Sequence, residues 1–419
     1  MKKLKALIVS ITALCMCASN MSVVGQVQPM VKFISVMAKN VATSGTCGEN
    51  LTWDFDTTTG ILTISGTGEM KEYGVWYDSN GNPVYSGGSM NIFDWGNLAQ
   101  DIKQVIIEDG VTTISDKVFY SCSALESVSI PDSVTKIGDN TFSGCSALES
   151  VIIPDGVTKI GDGTFSDCSA LKSVTIPDSV TIIDDNAFEG CHSLEYVTIP
   201  DSVTTIGNDA LRGCIALTSV VIPDSVTTIG RWAFAQCFSL ESVTISENIT
   251  EISGYAFAGC PLESVMIPKN VTIIDNSAFT TIGKLENGEV VILSVKSITI
   301  ENPKCEIHDS QSTISYMATI HGYENSTAQA YAEKYNVEFV SLGEAPETPE
   351  IKKGDINLDD AVDILDVIAI NKAILGQKVL TVEEKNSADV DNSGIVDPVD
   401  SLNIMKYIVK LIDSLEDLN

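Results

Sequence analysis

One pattern recurs eight times across residues 102–279, with starts at Ile102, Leu125, Leu148, Leu171, Leu194, Leu217, Leu240 and Leu262, a step of 23 that shortens to 22 only at the last. A typical unit reads Leu125-Glu-Ser-Val128-Ser-Ile130-Pro131-Asp-Ser-Val134-Thr-Lys-Ile137-Gly-Asp139-Asn-Thr-Phe142-Ser-Gly-Cys145-Ser-Ala147. A fixed period in the twenties predicts a solenoid, because no such unit buries its apolar face alone and each must stack on its neighbours. The 419-residue chain is 44% hydrophobic, which supplies a core for that stack and for one or two further domains.

Within the unit, Leu125, Val128 and Ile130 are spaced L-x-x-L-x-L, which places a strand before Pro131. Proline ends it, having no N–H for a sheet ladder. Val134 and Ile137 follow, then an acidic position and, three residues later, an aromatic one. Asp139, Asp162 and Asp185, with Asn208 in the next unit, are placed to cap a short helical turn, the alternative being a metal site. Phe119, Phe142, Phe165, Phe188, Leu211, Phe234, Phe257 and Phe279 form a column expected to be continuous core.

A third column is cysteine, at Cys122, Cys145, Cys168, Cys191, Cys214, Cys237 and Cys260. Stacked strands lie roughly 5 Å apart, so distance alone does not forbid pairing. Beside a phenylalanine column, these thiols read as small buried hydrophobes, with disulfides or metal as the alternative.

Units carrying I-P-D-S-V-T-x-I-G and A-F-x-G-C resemble the bacterial surface-antigen type of leucine-rich repeat. The resemblance runs outward to Ser44-Gly-Thr-Cys47-Gly-Glu-Asn-Leu-Thr-Trp53 and Ile61-Leu-Thr-Ile-Ser-Gly-Thr-Gly68 upstream, similar to that family's N-terminal cap. Downstream, Ile298-Thr-Ile-Glu-Asn-Pro303 and Ser326-Thr-Ala-Gln-Ala-Tyr331 resemble its closing segment. It implies a solenoid with one strand and one short helical turn per repeat, used as a binding scaffold.

Net charge is −31, from 25 basic and 56 acidic residues. Repulsion makes nucleic acid and anionic membrane surfaces poor partners and favours cations. Residues 1–18 combine a Lys-rich start with a short apolar run, the form of a secretory signal too short to insert in a membrane. Cleavage after Ala18, Gly25 or Ala38 is compatible with the small residues there, so 1–38 is taken as signal and leader. Residues 39–101 then form an N-terminal cap, in which alternation of Trp53, Phe55, Leu62 and Ile64 predicts a hairpin. The solenoid spans 102–284 and a C-terminal cap 285–342, with a helix over 327–335. An acidic, proline-punctuated linker occupies 343–350, and a separate module follows over 351–419.

That module holds two acidic loops 34 residues apart. Oxygen donors fall at loop positions 1, 3, 5, 9 and 12, with a backbone carbonyl at 7, a set that wraps a hard cation. In the first loop these are Asp355, Asn357, Asp359, Ala361, Asp363 and Asp366; in the second, Asp389, Asp391, Ser393, Ile395, Asp397 and Asp400. Four carboxylates per loop suit calcium, one ion each. Gly394 provides the positive φ wanted at position 6, where the first loop has Asp360; position 12 is Asp in both, unlike the Glu of an EF-hand.

Each loop leads into one predicted helix, over 364–375 and 399–415. A duplicated loop and helix after a Pro-rich linker resembles a type I dockerin, a small all-α calcium-binding module. The resemblance implies a cohesin partner on a scaffoldin, and assembly into the cellulosome of plant-wall-degrading anaerobes. It assigns cohesin recognition to loop positions 10 and 11 and to the helix beyond: Ile364, Leu365, Asn371 and Lys372 in the first copy, Pro398, Val399, Met405 and Lys406 in the second. Core burial of Ile364 and Leu365 is the alternative.

Three histidines and the absence of H-E-x-x-H, G-x-S-x-G or a phosphate loop leave no familiar catalytic set. The chain reads as a secreted, non-enzymatic, cellulosome-attached binding protein acting in plant polysaccharide degradation. A cellulosome-attached hydrolase with its activity in 40–100 or 285–342, and a free surface adhesin, are the alternatives. Strand-face residues such as Ser127, Glu149, Thr175 and Thr244 look unspecialised, whereas Ile215, Trp232, Phe238 and Tyr255 fill columns that elsewhere hold Ser, Asn, Asp or Gly. They are the candidate patch for a polysaccharide or protein ligand.

Overall fold

The computed structural model describes residues 43–71, 76–78, 83–84, 98–286, 289–346, 352–359, 361–410 and 414–415. The signal segment with its cleavage positions, most of the loop before the first repeat, much of the linker and Asp360 lie outside the described residues.

Each unit closes one coil, and all but the one starting at Leu194, which has only the second, carry two short strands. The first follows the leucine: Ser150–Ile152 pairs in parallel with Ser173–Thr175, and Ser219–Val221 with Ser242–Thr244, each in a register of one unit. A second strand, missed in the sequence because it is only two residues long, follows the valine; Lys159–Ile160, Ile182–Ile183, Thr205–Ile206 and Thr228–Ile229 form a second parallel sheet.

The expected helical turn is built as successive three-residue turns. Ser143 N–H donates to Asn140 O and Cys145 N–H to Phe142 O, while Asn140 and Gly144 take left-handed φ of 55° and 74° and interrupt any α-helix. The N–H groups this leaves free donate to the next coil, as from Asn140 to Asp162 O, Phe142 to Thr164 O and Gly144 to Ser166 O. Backbone polarity is thus satisfied between coils, which is what lets the interior be mainly apolar, with buried hydroxyls such as those of Thr141 and Thr164 bonded to backbone carbonyls.

The acidic column has a different role from the capping expected of it. Asp116 Oδ1 accepts from Asp139 N–H at 3.0 Å, Asp139 Oδ1 from Asp162 N–H at 3.1 Å, and Asp185 Oδ1 from Asn208 N–H at 2.6 Å. These side chains tie one coil to the next, because the turn beside them is too short to present a free helix start.

Inside, Phe119, Phe142, Phe165 and Phe188 stack with centroids 5.3 to 5.5 Å apart, and Phe234, Phe257 and Phe279 resume the stack after Leu211. The seven repeat cysteines are free thiols and fully enclosed. Cys145 Sγ donates to Phe119 O, Cys168 Sγ to Phe142 O and Cys191 Sγ to Phe165 O, each at 3.2 Å. Burial pushes the Cys168 thiol up to about 12.

Strands β1 (Ser44–Thr46), β2 (Gly48–Asp56) and β3 (Ile61–Met70) pair antiparallel in order at the N-terminal end. β3 spans both sheets: Ile61 to Ile64 pair with Gln104–Ile107, and Gly68 and Glu69 with Val111 and Thr113. Gly66 makes the passage possible at φ 116°, where a Cβ would lie 2.0 Å from Asn50 O. At the other end the first sheet continues beyond the repeats through Ser297–Ile300, Thr319–Gly322 and Glu338–Ser341. Helix α1 (Thr327–Tyr335) packs there through Ala328, Tyr331 and Ala332.

The C-terminal module has its own core of Ile356, Val367, Ile370, Leu380, Ala388, Val390, Ile404 and Leu415. It contains α2 (Ile364–Ile374), α3 (Val382–Ala388) and α4 (Pro398–Ile408). α4 stops well short of the 415 expected from hydrophobicity, because Lys410 turns left-handed at φ 57° and donates back to Tyr407 O. α3 was not expected, yet its capping box, Thr381 with Glu384, is legible in the sequence.

Candidate functional site

The two loops are built alike. At position 12, Asp366 is completely buried; its Oδ1 accepts from Ile356 and Asn357 N–H, and its Oδ2 from Asp363 N–H. Asp400 does the same for Val390, Asp391 and Asp397. Each therefore locks its loop to the helix it enters. At position 9, Asp363 and Asp397 cap α2 and α4, accepting from Leu365 N–H at 2.7 Å and Val399 N–H at 2.6 Å.

At position 1, Asp355 Oδ1 accepts from Asp359 N–H at 3.1 Å, and Asp389 Oδ1 from Ser393 N–H at 2.9 Å. Ser387 Oγ donates to Lys352 O and Asp355 O, fastening the first loop's entry to the end of α3. Asp389, Asp391 and Asp400 bring carboxylate oxygens within 4.8 Å of one another, the one such group among the described residues. Burial raises the Asp400 carboxyl, whereas donation from Ser393 lowers that of exposed Asp391. A set of convergent oxygens without nitrogen or sulfur donors fits a hard divalent ion of the calcium type. Asn357, Asp359 and Ser393 lie on the loops with exposed side chains, and the carbonyls of Ala361 and Ile395 fall at position 7.

The residues expected to meet a partner are on the surface. Ile364 is 55% and Leu365 53% exposed, so neither is core. Pro398, Val399 and Met405 are exposed on α4, as are Asn371 and Lys372 on α2, although Asn371 Oδ1 also accepts from Ser401 Oγ at 3.1 Å. Lys406 is half-buried and donates to Asn403. Sequence reasoning missed Ile368, Leu375, Leu402 and Val409, which continue the apolar stripe along each helix. Their offsets of three and ten residues from Leu365 and Val399, which return to the same helix face, were the available signal.

On the solenoid, Trp232 and Tyr255 stack with centroids 4.0 Å apart, and the Arg212 guanidinium lies 5.4 Å from the centre of the Trp232 ring. Arg212 is itself held by Asp209 at 3.1 Å and Glu189 at 3.5 Å. Ile215 and Phe238 occupy another column, near the cysteines, and are part-exposed. The strand face is less plain than its Ser and Thr residues suggest: Ile152, Tyr196, Val221 and Met266 lie there, between 56% and 72% exposed. Their alternation with buried Val and Ile was legible; that they share one open face was not.

Fold and site together define a leucine-rich-repeat solenoid joined to a duplicated cation-loop module. The BspA-type leucine-rich repeat region matches as six copies over 96–218 and 204–302, and the type I dockerin domain over 353–409. The chain therefore carries BspA-type leucine-rich repeats followed by a C-terminal type I dockerin domain. Such a domain binds calcium and implies a cohesin partner, and both parts are typical of extracellular proteins.

Solved structures similar to the chain include a leucine-rich repeat protein from Bacteroides ovatus, 23% identical over 71% of this chain and 78% of that one, with a TM-score of 0.41. A leucine-rich repeat protein of T. pallidum is 26% identical over 49% and 84%, TM-score 0.34. The pneumococcal vaccine antigen PcpA is 15% identical over 73% and 100%, TM-score 0.29. No curated protein matches the chain. Among the described residues, no helix is long and apolar enough to cross a membrane.

Proposed function

We propose that this chain is a secreted, non-catalytic binding protein. Its dockerin, loaded with two calcium ions, docks on a cohesin of a cellulosome scaffoldin, and its solenoid holds a ligand during plant polysaccharide degradation. The observation that carries the docking is a pair of matched apolar stripes on helices that cap calcium loops. Leu365, Ile368 and Leu375 on and just beyond α2 are 53%, 46% and 70% exposed; their counterparts Val399, Leu402 and Val409 on α4 are 48%, 53% and 57%. A small module rarely leaves such a surface to water unless a partner covers it. The stripes differ at Asn371 against Met405 and Ile364 against Pro398, which favours one docking orientation over its pseudo-symmetric alternative.

For the solenoid, the open strand face supports a binding role better than the turn edge. Ile152, Tyr196, Val221 and Met266 stand beside exposed Glu126, Glu149, Glu195, Glu241 and Glu263, a mixed apolar and acidic surface. At the edge, Arg212 and Tyr255 cover both faces of Trp232, leaving its rim to meet a ligand.

Calorimetry of the full chain against type I cohesins tests the docking. Ile368→Asp and Leu402→Asp each place a charge in one stripe; loss of a central anchor costs about 2 kcal/mol or more, some thirtyfold in Kd. One of the two is expected to weaken binding by that amount and both together to abolish it. Failure to bind any cohesin in calcium overturns the reading.

A further inference from the structure

We infer that the two acidic loops take calcium unequally, loop 389–400 filling at lower concentration than loop 355–366, so that the module passes through a half-loaded state. This rests on the calcium-dependent dockerin reading above and adds to it an order of filling.

At the donor positions the loops carry equal charge, four carboxylates and one neutral oxygen donor each, Asn357 in the first and Ser393 in the second, although Asp360 at position 6 gives the first loop a fifth carboxylate. Backbone conformation separates them. Position 4 is left-handed in both, at φ 58° for Leu358 and 57° for Asn392. Asparagine tolerates that region, whereas leucine has its Cβ pressed against the following carbonyl oxygen. Position 6 of the second loop is Gly394 at φ 82°, again without steric cost, and its N–H donates to Asp389 Oδ2 at 2.9 Å. The first loop has Asp360 at the corresponding place in the sequence.

Preorganisation points the same way. The carboxylates of Asp389, Asp391 and Asp400 already converge, their oxygens within 4.8 Å of one another. In the first loop, Asn357 turns its amide toward Asp359 Oδ2 at 2.8 Å, an arrangement that must open before both oxygens face one ion. Two features oppose the order: the additional Asp360 carboxylate of the first loop, and Lys353 Nζ, which donates to Asn392 Oδ1 at 2.9 Å and to Asp389 O at 2.5 Å and so places a positive charge at the second loop. Asp360 is not at a donor position, and the lysine bonds an amide and a carbonyl rather than a loop carboxylate, so neither outweighs a left-handed leucine. Because metal binding in such loops is coupled to folding, the left-handed leucine is imposed when the ion binds and lowers affinity directly. A penalty of about 1.4 kcal/mol corresponds to roughly tenfold.

Calcium titration of the full chain, by calorimetry with far-ultraviolet circular dichroism in parallel, reads the order. Two binding steps are expected. Leu358→Asn should tighten the weaker step roughly tenfold and leave the other in place. Asn392→Leu should weaken the tighter step, and Asp389→Ala should remove it. Two ions bound with equal affinity, a weak step unmoved by Leu358→Asn, or a tight step removed instead by Asp355→Ala would overturn the inferred order while leaving the dockerin assignment intact. No bound calcium at all would overturn both.

Discussion

The Asp139 carboxylate accepts the backbone N–H of Asp162, its own counterpart one coil on, at 3.1 Å, while Asp139 N–H donates to the carboxylate of Asp116 on the coil before. The same residue type repeated every 23 positions therefore becomes a ladder along the solenoid axis, with like charges in adjacent coils. Burial, and then the neighbouring Asp116 charge, raise the Asp139 carboxyl above its ordinary 3.8.

A raised acid is a group whose neutral form folding favours. Its contribution is fully present below 3.8 and is lost as pH rises through the higher folded-state value, so at neutral pH the ionised Asp139 opposes stability. Asp139→Asn keeps the acceptor, as Asn208 does for Arg231 N–H at 2.8 Å, and removes the charge. The variant should be more stable than the parent at pH 7 by up to about 0.5 kcal/mol, the range for partly exposed sites. The difference should vanish below 3.8. Thermal unfolding across pH checks both; a variant less stable at pH 7 contradicts the repulsion argument.

The phenylalanine stack should be locally cooperative. Phe165 is fully buried with Phe142 and Phe188 about 5.5 Å away on either side. Phe165→Ala should cost about 3–5 kcal/mol by leaving a cavity that stiff neighbouring coils cannot close. Because coils contact only their neighbours, hydrogen exchange should accelerate most around that coil rather than uniformly.

Nine thiols lie buried and free among the described residues. Burial shields all nine from reagents, and the Cys168 thiol, pushed up to about 12, is hardly ionised at pH 8, so native protein should react with thiol reagents only as it unfolds. In denaturant, protein without its signal segment should titrate about nine groups, set by those cysteines. A count of one or none would mean that the column is oxidised.

Chelation should separate the two parts of the chain. Without calcium, the four carboxylates at the donor positions of each loop repel one another, and the module beyond residue 350 should unfold, exposing cleavage sites and ending cohesin binding. The solenoid, held by stacked apolar side chains and inter-coil backbone bonds, should persist as a protease-resistant fragment of roughly 40–342. Asp400→Ala strands the buried N–H of Val390, at about 1–3 kcal/mol, and removes the acceptor of the part-buried Asp391 and Asp397 N–H groups, and should have the same effect on the module even in calcium. Mass spectrometry of limited digests distinguishes these fragments.

By itself, the sequence determined the solenoid, the apolar columns and the oxygen spacing of both loops. Each depends only on which residue type returns at which interval: a 23-residue period puts every Phe of the column over the last, and positions 1, 3, 5, 9 and 12 define a cation loop wherever it folds. The tertiary structure alone decided where those side chains find partners. Asp139 bonds a backbone 23 residues away rather than its own turn, Ile152, Tyr196, Val221 and Met266 come together on an open face, and Leu358 is forced left-handed where Asn392 is at ease. The physical reason is that hydrogen-bond partners, exposure and backbone strain are set by what lies one coil or one loop away in space, and a local pattern of residue types does not contain that distance.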